Sequence, residues 1–151
     1  MRRGFTMIEL IVVIVILGIL AATALPRFIS VKADARAAAV QGIAGGLRSA
    51  LAVVQAKWQI AGGSGVASVT MADGTVVAVG ATTGFPTGAV GGIGNAMSDC
   101  VAGANACQGN TAVFAATSTF TPPGGSATCQ ATYVAATGAV AAVPASGTAG
   151  C

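Results

Sequence analysis

The chain has 151 residues, 54% of them apolar and only 7% charged, with seven basic side chains, four acidic ones and no histidine. All seven basic residues fall within the first 57 positions, and beyond Trp58 the only charges are Asp73 and Asp99. So few titratable groups leave no acid–base pair, nucleophile–base couple or metal cluster to nominate, so no catalytic residue, metal ligand or cofactor is expected. A carboxy-terminal region without Lys or Arg also lacks the cationic patch that nucleic acid would require.

The amino terminus opens with a cationic stub, Met1-Arg2-Arg3-Gly4, followed by an apolar run from Phe5 to Leu25 whose only charge is Glu9. As a helix, this run is long enough at ~1.5 Å per residue to cross a ~30 Å hydrocarbon core. A carboxylate at the centre of such a span costs roughly 2.5 to 3.5 kcal/mol, and less near its edge, so Glu9 requires a partner. Arg27, the nearest downstream base, lies about 27 Å along the helix. Cleavage between Gly4 and Phe5 would create a nearer cation: an α-amine with reference pKa ~8, four residues before Glu9. That amine could meet the carboxylate of its own helix or, in a staggered array, that of a neighbour.

With its Arg2-Arg3-Gly4 leader, the Phe5-Thr6-Met7-Ile8-Glu9-Leu10 sequence and an apolar run ending at Pro26, the region 1–58 resembles a type IV prepilin. The resemblance implies cleavage after Gly4, N-methylation of Phe5, both by a prepilin peptidase, and a role for Glu9 in assembly. It also implies an inner-membrane precursor handed by the pilus assembly machinery into an extracellular helical homopolymer. A secretory signal competes for the same residues, since Arg2-Arg3, the apolar core and Ala22-Thr23-Ala24 imitate its three zones. Neither that signal nor an uncleaved membrane anchor accounts for Glu9. The Arg2-Arg3 pair alone is too common to indicate a twin-arginine signal.

From residue 26 the pattern becomes amphipathic, with Val40, Ile43, Leu47, Leu51, Val54 and Trp58 stepping by three or four and Arg36, Gln41, Arg48 and Gln55 on other faces. One helix over 5–58 would be roughly 80 Å long, so half of it must project from any small domain. Pro26 cannot donate to the Ala22 carbonyl and Gly18 lies two turns earlier, which makes 18–26 a candidate hinge. In the pilins that the chain resembles, the corresponding interval loses helical order in the filament. Gly42, Gly45 and Gly46 are read as sites of close backbone packing.

Residues 59–151 form the expected head, rich in Gly, Ala, Ser, Thr and Val. The runs Val66–Met71 and Thr75–Val79 flank Ala72-Asp73-Gly74, a hairpin signal. Further strands are expected over 111–116, 128–134 and 139–143, with a turn at Gly84-Phe85-Pro86 and a short helix or loop over 90–97. The Gly-rich runs 62–65 and 91–94 lack the setting and the Lys of a phosphate cradle and are read as loops. Together these elements predict an α+β layout: one long helix with a small antiparallel sheet on its second half. The domain plan is leader 1–4, apolar helix 5–25, amphipathic helix 26–58 and β-rich head 59–151.

The four cysteines, Cys100, Cys107, Cys129 and Cys151, all lie in the head and indicate disulfides, with three connectivities open. Pairing Cys100 with Cys107 and Cys129 with Cys151 keeps each loop local. The larger loop, of about 23 residues, would restrain the unfolded chain by roughly 3 kcal/mol. Type IV pilins carry a comparable carboxy-terminal disulfide loop, which supports that pairing by resemblance. Within that family the head looks most like the mannose-sensitive haemagglutinin pilins, in Val69-Thr70-Met71-Ala72-Asp73-Gly74-Thr75, in Gly84-Phe85-Pro86 and in the ending from Cys129 to Cys151.

The function implied is that of a major pilin, a structural subunit acting in adhesion, surface attachment or motility. The alternative is a major pseudopilin of type II secretion, whose relatives resemble calcium binders at the carboxy-terminal loop. Such a site needs anionic oxygen ligands, and no Asp or Glu follows Asp99. A membrane-anchored binding domain is a third reading.

Overall fold

A computed structural model describes residues 5–97, 100, 101, 106–143 and 151; the side chains of 24–30 and 101 lie outside that description. Helix α1, Met7–Ile60, is 54 residues long. It starts at Thr6, whose extended backbone and Oγ1 cap the first turn, and it stops where Gly62 and Gly63 take positive φ. The Gly63 N–H donates to the Trp58 carbonyl at 2.9 Å, satisfying one of the carbonyls that a helix end leaves without a partner. Lys57 in the last turn suits the negative end of the helix dipole.

Only the second half of α1 carries the head. Val40, Ala44, Leu47 and Val54 are fully buried there, each large apolar side chain contributing roughly 1.5 to 3 kcal/mol relative to exposure. Ile43, Leu51 and Trp58, expected on the same stripe, are only half-buried, while Ala44 was not anticipated. Close backbone packing at the three glycines is not what the chain shows. A methyl group added at Gly42 or Gly45 would meet no atom within 4 Å, and at Gly46 only the end of Met97 at 4.0 Å.

The single expected sheet is two sheets. The first is the hairpin β1, Ser68–Thr70, and β2, Val76–Ala78, with Val69 opposite Val77. Its turn is closed by the Thr75 N–H donating to Asp73 Oδ1 at 2.9 Å, with Gly74 at φ +84°. That bond, seconded by the Thr75 hydroxyl, holds the Asp73 carboxyl below its ordinary pKa. Val54 of the helix, Val69, Val77 and Val79 form its small core.

The second sheet is a six-stranded antiparallel meander in chain order: β3 (Cys100–Val101), β4 (Ala106–Cys107), β5 (Asn110–Val113), β6 (Thr117–Thr121), β7 (Gln130–Val134) and β8 (Ala139–Val143). Three strands, β3, β4 and β6, were missed at the sequence level. A two-residue turn joins β4 to β5, with Gln108 at φ +51° and Gly109 at φ +77°, the left-handed pair that a tight hairpin of this twist requires. The inward residues Ala112, Phe120, Ala131, Tyr133 and Ala142 pack with Val40, Ala44 and Leu47 of α1, and with Ile93 and Met97. Residues Val90–Gly94, whose Gly-rich part was read as a loop, form a π-helical turn with Gly92, Ile93 and Gly94 buried.

Polar ties fasten these layers. The Tyr133 hydroxyl, fully buried, donates to the Pro86 carbonyl at 2.6 Å, and burial pushes its pKa up to about 12. Arg48 donates to the Val140 carbonyl at 3.2 Å and Arg36 to the Cys151 carbonyl at 3.0 Å. Asn95 Nδ2 reaches the Val76 carbonyl at 2.7 Å, linking the smaller sheet to the segment after the π-turn. Disulfides join Cys100 to Cys107 and Cys129 to Cys151.

Candidate functional site

The first half of α1 packs against nothing in the described chain. Every residue from Phe5 to Thr23 is exposed, with large apolar side chains ranging from 45% accessible at Val13 to 84% at Met7. Exposure on all sides distinguishes it from 31–60, which hides one face under the head. An all-round apolar helix is stable only in lipid or surrounded by other apolar helices. Met7–Thr23 is the apolar stretch, and extended to Leu25 it has the length for a bilayer.

At its head, Phe5 precedes the helix and is 81% exposed. Gly4, the other residue assigned to cleavage, lies outside the described residues. Glu9 stands in the first turn, its carboxylate near the positive end of the helix dipole, an arrangement worth about 0.3 to 1 kcal/mol at an exposed site. Its backbone N–H donates to Thr6 Oγ1 at 3.4 Å. Thr6 was overlooked in the sequence, although Thr-x-x-Glu is the signature of a helix start in which cap and acid support each other. Glu9 therefore has a local task at the helix start, which an experiment must separate from any part in assembly.

The hinge candidates lie within continuous helix, since α1 runs through both Gly18 and Pro26. A methyl group at Gly18 would meet no atom within 4 Å, so no contact in this chain requires glycine there. Thr23, a second overlooked residue, donates its hydroxyl to the Leu20 carbonyl at 3.1 Å and to the Ile19 carbonyl at 3.4 Å. Such back-bonding draws carbonyls away from the helix axis and favours bending, one turn before the proline. The only polar side chain between Leu10 and Leu25 was the available signal.

The cysteines do not join this site; they lie in the head, with Cys107 and Cys129 buried. Among the described residues no three of His, Cys, Asp or Glu come together as a metal site. What the amino-terminal geometry can do is associate: it offers an apolar rod with one acid near its tip.

Residues 1–25 match the family of the prokaryotic N-terminal methylation motif. The chain begins with the motif of a type IV prepilin leader. The type IV narrow pilus major component PilA5 of Thermus thermophilus is 53% identical to it over 57 residues, which cover 36% of this chain and 49% of that protein. The match thus spans about half the length of the curated relative. No solved structure matches the chain. The long apolar helix and small antiparallel sheets of the chain agree with the type IV pilin fold.

Proposed function

We propose that the chain is the major structural subunit of a type IV pilus, held in the inner membrane by residues 5–25 and then polymerised through that helix into an extracellular filament. The observation that carries this reading is the uncovered apolar half-helix that makes up most of the methylation motif. In this reading a prepilin peptidase cuts between Gly4 and Phe5 and methylates Phe5, and the assembly machinery of the inner membrane stacks the mature subunits. Each Glu9 pairs with a freed Phe5 amine, giving register more than raw affinity. The stretch 18–26, weakened by Gly18, Thr23 and Pro26, yields under tension while the head, residues 59–151, stays folded on 26–58. The head's resemblance to mannose-sensitive haemagglutinin pilins belongs to this proposal and suggests attachment as the filament's work.

A secretion pseudopilin is less well supported, because PilA5 is named as a component of a pilus and the region after Asp99 holds no carboxylate side chain. The decisive measurement is the mature amino terminus by mass spectrometry. Loss of residues 1–4 with one added methyl group is expected; an intact Met1, or a start at Leu25, would remove the basis of the proposal.

A further inference from the structure

The loop between β1 and β2 holds a reactive stretch of backbone. Asp73-Gly74 is the one place in the sequence where Asp or Asn precedes glycine. Glycine has no Cβ to shield its amide nitrogen, and that nitrogen can attack the side-chain carboxyl of the residue before it. The Gly74 nitrogen bonds to Asp73 Cγ, the carboxyl hydroxyl leaves with the amide proton as water, and a five-membered imide closes. Water then opens the ring on one side or the other. Breaking the bond from nitrogen to Cγ restores aspartate. Breaking the bond from nitrogen to the main-chain carbonyl carbon leaves isoaspartate, with the backbone rerouted through Cβ and Cγ and one carbon longer. One water is lost and one regained, so no other reactant is consumed.

The folded loop engages the groups that this step needs. The Gly74 N–H donates to the Met71 carbonyl at 3.1 Å, and the Met71 N–H donates to the Thr75 carbonyl at 2.8 Å, which fixes the attacking peptide group within the turn. Asp73 Oδ1 accepts the Thr75 N–H at 2.9 Å, a side-chain turn that ties the carboxylate one residue past the Gly74 nitrogen. The same bond keeps the Asp73 carboxyl below its ordinary pKa, so the neutral form, which alone carries a hydroxyl to lose, is scarcer. Ala72, Asp73 and Gly74 are all exposed. Burial therefore does not protect the pair, and the hydrogen bonds do.

The cost of failure follows from register. The loop sets Val69 opposite Val77, and both pack with Val54 of α1 in the smaller core. An extra backbone carbon between Met71 and Thr75 lengthens the loop, and its bonds cannot all keep their geometry. We infer that Asp73-Gly74 is a site of spontaneous backbone isomerisation built into the head, and that the hydrogen bonds of the β1–β2 loop hold it in check. The smaller sheet ages where this loop opens and is spared where it stays closed.

The test uses the detergent-solubilised full chain, kept for weeks in warm, near-neutral buffer with or without guanidinium chloride, its disulfides intact. A protease that cuts before aspartate does not cut before isoaspartate, so mass spectrometry of the digest reads the uncut fraction at residue 73, with Asp34 and Asp99 as internal controls. Isomerisation at residue 73 should be at least about tenfold slower in the folded chain than in the unfolded one, because the reactive geometry waits on local opening. Thr75→Pro, which removes the N–H that holds the carboxylate, should isomerise several-fold faster than wild type. Thr75→Val keeps that N–H and should stay close to the wild-type rate. Equal rates in folded and unfolded wild type would overturn the inference, and that comparison stands even if the proline variant does not fold. So would an unfolded chain in which residue 73 isomerises no faster than residues 34 and 99, or a proline variant as slow as wild type.

Discussion

Helix α1 is one continuous element with two kinds of surface. Residues 31–60 follow the rule of a soluble helix: Val40, Ala44, Leu47 and Val54 are hidden and Lys32, Arg48 and Gln59 are exposed. Residues 5–23 expose every side chain, and nearly all of them are apolar. The backbone is the same helix in both halves, so backbone geometry does not explain the difference. It lies in what must cover the side chains: the chain's own sheet for the second half, and lipid or other copies for the first. The head is therefore complete within one chain, and the first half is not.

The sharpest way to break this comparison is at Glu9. If the acid merely completes the helix start with Thr6, Gln serves as well, since both residues occupy that position of a capping box. If it pairs with a freed amine, Glu9→Gln strands that cation, and loss of one partner of a buried pair costs about 3 to 5 kcal/mol. Co-expressed with wild type, Glu9→Gln should insert in the membrane normally and enter filaments at least ~100-fold less often, since ~1.4 kcal/mol is a factor of ten. Equal incorporation would reduce Glu9 to a cap.

A second experiment sharpens the contrast between the halves through packing. Leu47→Ala should destabilise the head by about 2 to 5 kcal/mol, measured as a lower thermal midpoint of the detergent-solubilised chain. Val13→Ala, in the uncovered half, should change that midpoint by less than the equivalent of ~0.5 kcal/mol. Similar losses at both sites would mean that the first half is also covered within a single chain.

The smallest expected effect is alkaline. Burial raises the Tyr133 hydroxyl from 10.0 to about 12, so the unfolded chain ionises first. The stability that this group contributes is complete below pH ~10 and is lost as pH rises through about 12. Tyr133→Phe should flatten that alkaline decline in a denaturation series, while lowering stability near neutral pH by about 1 kcal/mol through loss of the bond to Pro86. A decline of the same slope in the variant would exclude Tyr133 as its source.

How much of this was legible beforehand follows from the range of the forces concerned. The hairpin around Asp73-Gly74 was visible because its turn residues and flanking valines are adjacent in sequence. Strand β6 was not, although Thr117-Ser118-Thr119-Phe120-Thr121 alternates in the required way: Ser118 sits on the buried side, where an apolar residue was sought. It is tolerated there because its hydroxyl donates to the Gly88 and Ala115 carbonyls, both at 3.1 Å, partners that lie 30 and three residues away. The π-turn at Val90–Gly94 was hidden for a related reason, since Gly92 fits under Thr87 and Gly94 under Phe114, and only the folded head brings Phe114 close. The Thr6 cap is the opposite case, its Thr-x-x-Glu signal being local and complete in the sequence.

The sequence by itself determined that an apolar helix with an acid near its tip leads the chain, that a second, amphipathic segment continues it, and that positive charge disappears beyond Lys57. These are properties of contiguous residues, and helix period, hydrophobicity and charge act over a few positions at a time. Only the tertiary structure decided that the head divides into two sheets, and that Ala44 is buried while Gly42 and Gly45 are free. Those outcomes depend on which distant strands pair and in what register, and register is set by the whole core at once.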